Sequence, residues 1–163
     1  MMPPFPQGTI TQFAPRTPYF FLSNFYPYSI SYEGITYPSN EHAYQAAKSL
    51  DDGVRKEIMR CGSAAAAKKM GQQVILRPDW NQIKLKVMED LVRAKFLSPG
   101  VALKFSLWNT GDALLIEGNY WHDRYWGQCF CAKHNWEGEN HLGEILMKVR
   151  GEIEGWEQWN RSK

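Results

Sequence analysis

Residues 28–48 read YSISYEGITYPSNEHAYQAAK, and along this stretch the pattern changes from that of strands to that of a helix. The first half, Tyr28–Tyr37, alternates roughly as strands do, and Glu33-Gly34 stands where a hairpin would turn. After Pro38 the chain offers Ser39 or Asn40 as a cap for a helix over residues 41–50. The stretch predicts a short antiparallel hairpin followed by a helix.

Further helices are expected along most of the chain. Capping serines, glycines and prolines place them at Val54–Arg60, Ala64–Met70 (ended by Gly71), Asp79–Phe96, Val101–Trp108 and from Leu142 onward. The last helix has one apolar face, formed by Leu142, Ile145, Leu146, Val149, Ile153 and Trp156. In Asp79–Phe96 two apolar stripes, one of which includes Leu85, predict a helix covered on two sides.

Strands should be few and short. Leu114–Glu117 is one candidate, and a second is expected near Tyr125–Gly127. We therefore predict a helix-rich α+β fold with a small antiparallel sheet. Residues 1–18, rich in proline, should form an irregular arm, and residues 19–163 a single domain.

The composition is that of an ordinary globular protein. Of 163 residues 44% are apolar and 22% charged, and the net charge of +2 gives no strong electrostatic case for nucleic acid. No apolar run approaches the ~18 residues that a membrane helix needs. The N-terminal residues do not look like a signal peptide, and three cysteines suit a reducing cytosol. We expect a cytoplasmic protein with no membrane association and no obligate protein partner.

The helix after Pro38 carries the first candidate site. Helical spacing places Glu41, Tyr44, Gln45 and Lys48 on one side and alanines on the other. Glu41 and Lys48 lie two turns apart, so a ligand could meet an acid at one end and an amine at the other. The alternative is a polar helix face that simply meets water.

Two later segments offer polar and flexible groups. Asp123, with Glu117 upstream and Trp126 beside it, could act in acid–base chemistry, or these could be solvated acids near a core tryptophan. In Gly138–Gly143, Asn140 can cap the last helix and Gly143 exposes its first turn, an arrangement that suits a phosphate. A plain helix cap is the alternative.

A third segment contains residues that bind metals in other proteins. Cys129, Cys131 and His134 are zinc-type ligands, but the spacing is not that of a standard finger, and His122 or His141 could join them only through folding. We therefore expect free side chains and no bound metal or cofactor. Motifs of serine hydrolases, P-loop NTPases and Rossmann dehydrogenases are absent from the sequence.

Taken together, an ordered set of motifs resembles the NADAR family, which includes the YbiA-like N-glycosidases. The matching pieces are Phe21–Phe25, Tyr37–Lys48, Met70-Gly71, Trp80, Val87-Met88, Leu91, Lys95-Phe96, Thr110–Asp112, Leu115–Glu117, Asp123–Gly127 and Gly138–Arg150. The resemblance runs in order from about residue 20 to residue 150.

The resemblance implies a helix-rich α+β glycosidase that cleaves N-glycosidic bonds on ribose. Family substrates include phosphoribosyl aminopyrimidines of the riboflavin pathway and ADP-ribose attached to guanine, so an ADP-ribosylated nucleic acid is a possible substrate. By this resemblance Lys48 attacks the ribose and forms a Schiff base, with Glu41 or Asp123 moving protons.

The resemblance also suggests where substrate would bind. Expected contacts come from Asn24 and Tyr44, from Glu117, Trp126 and Gly127, and from Gly138, Asn140 and Gly143, the last three at the phosphate. Two segments, Asn119–Asp123 and Gln128–Asn135, depart from the family pattern, and both flank the expected pocket. A non-catalytic module that binds NAD or ADP-ribose and a zinc-stabilised interaction domain remain the alternatives.

Overall fold

The computed structural model describes residues 5–100 and 102–161, with side chains described as far as residue 153. The described residues form helices α1 to α6 and short strands β1 to β4. The helices are α1 Asn40–Ala47, α2 Asp52–Met59, α3 Ala64–Gly71, α4 Trp80–Leu97, α5 Leu103–Trp108 and α6 His141–Arg161. The strands are β1 Ile30–Tyr32, β2 Ile35–Tyr37, β3 Gly118–Asn119 and β4 Gln128–Cys129.

The helix-rich α+β fold is confirmed, with one addition to the predicted sheet. β1 and β2 form the expected antiparallel hairpin, in which Glu33 and Gly34 both have positive φ, as a type I′ turn requires. A second pair, β3 with β4, is parallel. No helix within the described residues has the length and apolar character needed to cross a lipid bilayer.

The chain divides into two compact units, which we name by their composition. The helical unit is Asn24–Pro99 and contains β1, β2 and α1 to α4; the terminal unit combines Met1–Ser23 with Gly100–Lys163. The predicted division into an arm, residues 1–18, and one domain, residues 19–163, stays a prediction. Ile10 in that arm is buried and pairs with Leu115, which lies in the same unit.

Local capping explains where the first helices begin. The hydroxyl of Ser39 accepts a hydrogen bond from the amide of His42, and that of Ser63 accepts one from Ala66. α1 ends earlier than predicted, at Ala47, and Leu50 is 62% exposed. Gly71 is the last residue of α3, and a side chain there would collide with Gln45. Its role is close helix packing.

In α4 the two predicted apolar stripes are only partly buried. Trp80, Val87, Met88, Leu91, Val92 and Phe96 are in the core, whereas Leu85 is exposed. The unexpected core residue is Lys95, which is 1% exposed and lies against the rings of Tyr26 and Phe96. Such a position was not predicted because lysine is among the residues least often buried.

The terminal unit differs most from the prediction. Leu114–Glu117 forms only an isolated bridge, from Leu115 to Ile10, and the strand near residues 125–127 is found slightly later, at β4. α6 has the predicted apolar face from Leu142 to Ile153. The predicted helix start at Val101 and the side chain of Trp156 lie outside the described residues.

Candidate active site

The polar face of α1 is buried. Glu41 is 6% exposed, Tyr44 7% and Gln45 3%, so the sequence alternative of a solvated polar face is wrong. Placing a carboxylate and an amide in a protein interior costs free energy unless their polar atoms find partners. A buried polar helix face is therefore more typical of a binding or catalytic site than of a solvent-exposed surface.

Three contacts hold this face in position. The Gln45 side-chain amide donates to a Glu41 carboxylate oxygen at 2.7 Å. The amide of Glu41 donates to the backbone carbonyl of Asn24 at 3.0 Å, which joins the preceding segment to the start of α1. At the other end, the Lys48 carbonyl accepts from the amide of Arg77 at 2.8 Å.

Lys48 lies at the end of α1, where its chemistry differs from that of a surface lysine. Burial lowers the pKa of Lys48; the negative charge of Glu41 opposes this, and the positive charge of Lys68 adds to it. The Lys48 ammonium nitrogen is 5.6 Å from the centre of the Tyr44 ring, and that ring packs on Trp80 with the ring centres 5.2 Å apart. The lowered pKa increases the neutral fraction of this amine, which lies beside an aromatic wall.

Two acceptor atoms in the same helix are buried without a protein partner among the described residues. Within residues 5–100 and 102–153, the buried Oε1 of Gln45 and Oδ1 of Asn40 have no hydrogen-bond partner. Buried acceptors of this kind normally pair with water or ligand when not with protein. The sequence placed Gln45 on the polar face, but its burial against Gly71 could not be judged from helical spacing.

The structure places Asn24, Glu41, Tyr44 and Lys48 in the helical unit. Asn24 is 8% exposed, and its side-chain amide donates to the sulfur of Met88 at 3.2 Å. Its predicted contact with a ribose hydroxyl stays a prediction. The amide is held by a weak acceptor, so exchange for a stronger one costs little.

The other predicted site residues all belong to the terminal unit. One oxygen of Asp123 accepts from the amides of Tyr125 and Trp126, at 3.0 and 2.9 Å, and so shapes the turn that carries Trp126. The Asn119 side chain bonds to both the carbonyl and the amide of Asp123. Asp123 is thus rigidly held, with its proton-transfer role still a prediction.

The side chain of Asn140 does not cap α6. It donates to the carbonyl of Leu115 at 2.9 Å and accepts from the amide of Glu117 at 3.0 Å. The reason is its backbone, which has a φ of +55° and directs the side chain toward the neighbouring segment. Asn140 therefore links the start of α6 to residues 115–117.

Glycines allow the same segments to approach closely. A β-carbon at Gly143 would overlap the Leu115 carbonyl, one at Gly127 the Glu117 carbonyl, and one at Gly138 the Gly127 carbonyl. Gly138 also has a φ of +153°, which side chains rarely adopt. These three positions have a packing role that accounts for glycine, and phosphate binding there stays a prediction.

Comparison with known proteins decides the family. The profile of the NADAR domain matches residues 12–154. The chain belongs to the NADAR family. This NADAR chain is 37% identical over 134 residues to the N-glycosidase YbiA of Escherichia coli, covering 81% of this chain and 80% of that protein. The NMR structure of E. coli YbiA superposes with a TM-score of 0.78 at 34% identity, covering 94% of this chain and 90% of that one.

Two other relatives differ in architecture. A Vibrio vulnificus riboflavin biosynthesis protein is 40% identical over 136 residues, which cover 82% of this NADAR chain. The chain spans only about a third of that protein's length, 35%. The N-glycosidase Npun_R5314 of Nostoc punctiforme is 37% identical over 141 residues and matches along 86% of its length. The family thus occurs both alone and as part of longer proteins.

Lys95 is a buried basic residue whose burial the sequence did not predict. Burial lowers its pKa to about 7, from an ordinary value of 10.5. In the unfolded chain the amine keeps the higher pKa, so between pH 7 and pH 10.5 the unfolded state binds more protons. The contribution of Lys95 to stability must rise with pH across this window and be lost as the pH falls toward 7.

We expect the Lys95→Met variant to lose this pH dependence. Between pH 7 and pH 9 the wild-type free energy of unfolding should gain roughly 2–3 kcal/mol from Lys95, and the variant should lack that gain. Urea denaturation at pH 7, 8 and 9 measures the difference, with Lys84→Met as a control on the same helix. If the free energy of unfolding depends on pH equally in wild type and Lys95→Met, the Lys95 amine does not have a lowered pKa in the folded protein.

Proposed function

We propose that the protein hydrolyses the N-glycosidic bond between a base or amine and a phosphorylated ribose, with Lys48 as nucleophile. The buried polar face of α1 carries the proposal, since it sets a carboxylate and an amine of lowered pKa on one helix. The N-glycosidase names of relatives at 37% identity support the reaction class. The protein needs no cofactor for this chemistry.

The proposed reaction has two stages. The neutral Lys48 amine attacks the anomeric carbon, the bond from that carbon to the base nitrogen breaks, and its electron pair leaves with the base. The base takes a proton from Glu41 or Asp123. The Lys48 nitrogen then loses a proton, and its electron pair forms the C=N bond as the bond from the anomeric carbon to the ring oxygen breaks. The ring oxygen takes up a proton, which leaves a ring-opened Schiff base. Water adds to the same carbon, the nitrogen is protonated, and the C–N bond breaks to release the Lys48 amine and the free sugar.

Substrate recognition is proposed from the remaining residues. In the helical unit we propose the amide of Asn24 for a ribose hydroxyl and Tyr44 for a flat ring. In the terminal unit we propose Trp126 for the base, Glu117 and Gly127 for the sugar, and Gly138, Asn140 and Gly143 for phosphate. No partner macromolecule is proposed other than an ADP-ribosylated nucleic acid as substrate.

Base release with two substrates tests the proposal. The purified protein is incubated with an ADP-ribosylated guanine oligonucleotide or with a phosphoribosyl aminopyrimidine, and free base is measured by liquid chromatography. Release from either substrate supports the glycosidase and selects its substrate class. Binding of ADP-ribose without release from either would instead support the binding-module alternative.

The charges around Lys48 give a prediction about pH. Because the Lys68 charge lowers the Lys48 pKa and the Glu41 charge raises it, Lys68→Met should move the acidic limb of the kcat/KM profile to higher pH. Glu41→Gln should move the limb to lower pH and reduce the rate about 10²–10⁴-fold. Profiles of both variants and of Lys69→Met, a neighbouring exposed lysine, measure this. Shifts in the same direction for Lys68→Met and Glu41→Gln would contradict the account.

A further inference from the structure

Four side chains of the terminal unit converge on one point. His122, Cys129, Cys131 and His134 present one nitrogen or sulfur atom each, and all four atoms lie within 4.8 Å of one another. The two Nδ1 atoms are 3.2 Å apart. The Cys131 sulfur lies 3.5 Å from Nδ1 of His122 and 3.4 Å from Nδ1 of His134, and the Cys129 sulfur lies 3.8 Å from Nδ1 of His122.

Four of the six separations match the edges of a tetrahedron of the size that zinc requires. With Zn–S near 2.3 Å and Zn–N near 2.05 Å, a regular tetrahedron has an N–N edge of about 3.3 Å, an S–N edge of about 3.6 Å and an S–S edge of about 3.8 Å. Each of these four distances lies within about 0.2 Å of its ideal edge. Hydrogen bonds between thiols and imidazoles can give single spacings of this length, but the convergence of two sulfurs and two nitrogens on one point is what a tetrahedral ion requires.

Backbone structure brings the four residues into place. Cys129 ends β4, where its amide donates to the Glu137 carbonyl at 3.0 Å. The amide of His134 donates to the Cys131 carbonyl at 3.1 Å, which closes the turn between these two ligands. His122 is in the left-handed region, with a φ of +68°, and this turns its ring toward the cysteines. Folding thus supplies the fourth ligand that the sequence spacing lacked.

The competing histidine is engaged elsewhere. Nε2 of His141 pairs with a carboxylate oxygen of Glu139 at 2.6 Å, so His141 is not part of the cluster. The remaining cysteine, Cys61, belongs to the helical unit. The donor set is therefore two sulfurs and two imidazole nitrogens, a combination typical of structural zinc.

We propose that His122, Cys129, Cys131 and His134 bind one Zn²⁺ ion as a closed tetrahedral site. This replaces the sequence expectation of no bound metal. Four protein ligands leave no open position for substrate or activated water, so the ion has a structural role. Its effect is to cross-link residues 122–134, the segment that includes Asp123 and Trp126. The proposal stands apart from the glycosidase function, whose chemistry uses no metal.

Metal analysis and cobalt substitution test the site without any need for activity. We expect the protein, purified without chelator and dialysed, to contain about one zinc per chain by plasma mass spectrometry. Cobalt added to the metal-free protein should give the strong visible d–d bands of a tetrahedral ion together with thiolate-to-cobalt charge transfer. Added zinc should abolish these bands. A cobalt spectrum typical of octahedral coordination, without thiolate-to-cobalt charge transfer, would overturn the proposal. So would a different metal bound stoichiometrically.

Matched cysteine variants locate the ion. Cys131→Ser should reduce bound zinc at least about tenfold and remove the charge-transfer band, whereas Cys61→Ser should keep both. Chelation should lower the melting temperature of wild type and of Cys61→Ser, but not that of Cys131→Ser. If Cys131→Ser does not fold, the cobalt spectrum of the wild-type protein alone decides. Equal zinc in the two variants would place the metal elsewhere.

Discussion

The Lys48→Ala variant is expected to lose base release by at least about 10³-fold while keeping its fold. Without the amine, no covalent intermediate can form, and what remains is the effect of binding and of the acid alone. The main chain of Lys48 still accepts the Arg77 amide, so the end of α1 should be unchanged. Liquid chromatography of released base under single-turnover conditions measures the loss.

The control for this variant is Lys69→Ala, which removes an exposed lysine from α3. It should release base at the wild-type rate. Lys48→Arg is a second test, because the guanidinium keeps a positive charge but is not a nucleophile at neutral pH. Wild-type rates in Lys48→Ala or Lys48→Arg would show that Lys48 is not the nucleophile. Lys68 and Lys95 would then be the next lysines to test.

The Gly143→Ala variant is expected to be destabilised by about 3 kcal/mol. Its β-carbon would overlap the Leu115 carbonyl and the Asn140 side chain, both of which are fixed by their mutual hydrogen bond. α6 would have to move away from residues 115–117, and the bond from the Glu117 amide to Asn140 would weaken. Thermal unfolding should show a decrease in Tm of roughly 5–10 °C.

Gly151 provides a matched control within the same helix. It is exposed, and a β-carbon there would meet no atom within 4 Å. Because alanine is the better helix former, Gly151→Ala should be more stable than wild type by about 0.5–1 kcal/mol. Equal stabilities of Gly143→Ala and Gly151→Ala would show that the helix start can move freely, contrary to the packing described above.

Features that depend on neighbours in sequence could be predicted. Ser39 and Ser63 begin α1 and α3, and Glu33-Gly34 turns the hairpin, because capping and turn chemistry act over a few residues. The apolar face of α6 follows from its spacing in the same way. These elements were the basis for predicting the α+β fold.

Features that depend on residues distant in the sequence could not be predicted. Burial of Glu41 and Lys95 results from packing in the helical unit, and helical spacing alone places both among ordinary polar positions. Leu115 pairs with Ile10, far away in the sequence, and the 114–117 segment forms an isolated bridge in place of the expected strand. His122 joins two cysteines and His134 only when its loop folds. Tertiary structure thus revealed the buried amine site and the zinc-type cluster.

Reductive trapping tests the central claim most directly. Wild-type protein is mixed with substrate and sodium borohydride, digested, and analysed by mass spectrometry for a reduced ribose-derived adduct. The account predicts one adduct, on the peptide that contains Lys48, and none in Lys48→Ala. Base release at the wild-type rate with no adduct, or an adduct on a different lysine, would contradict the proposed nucleophile.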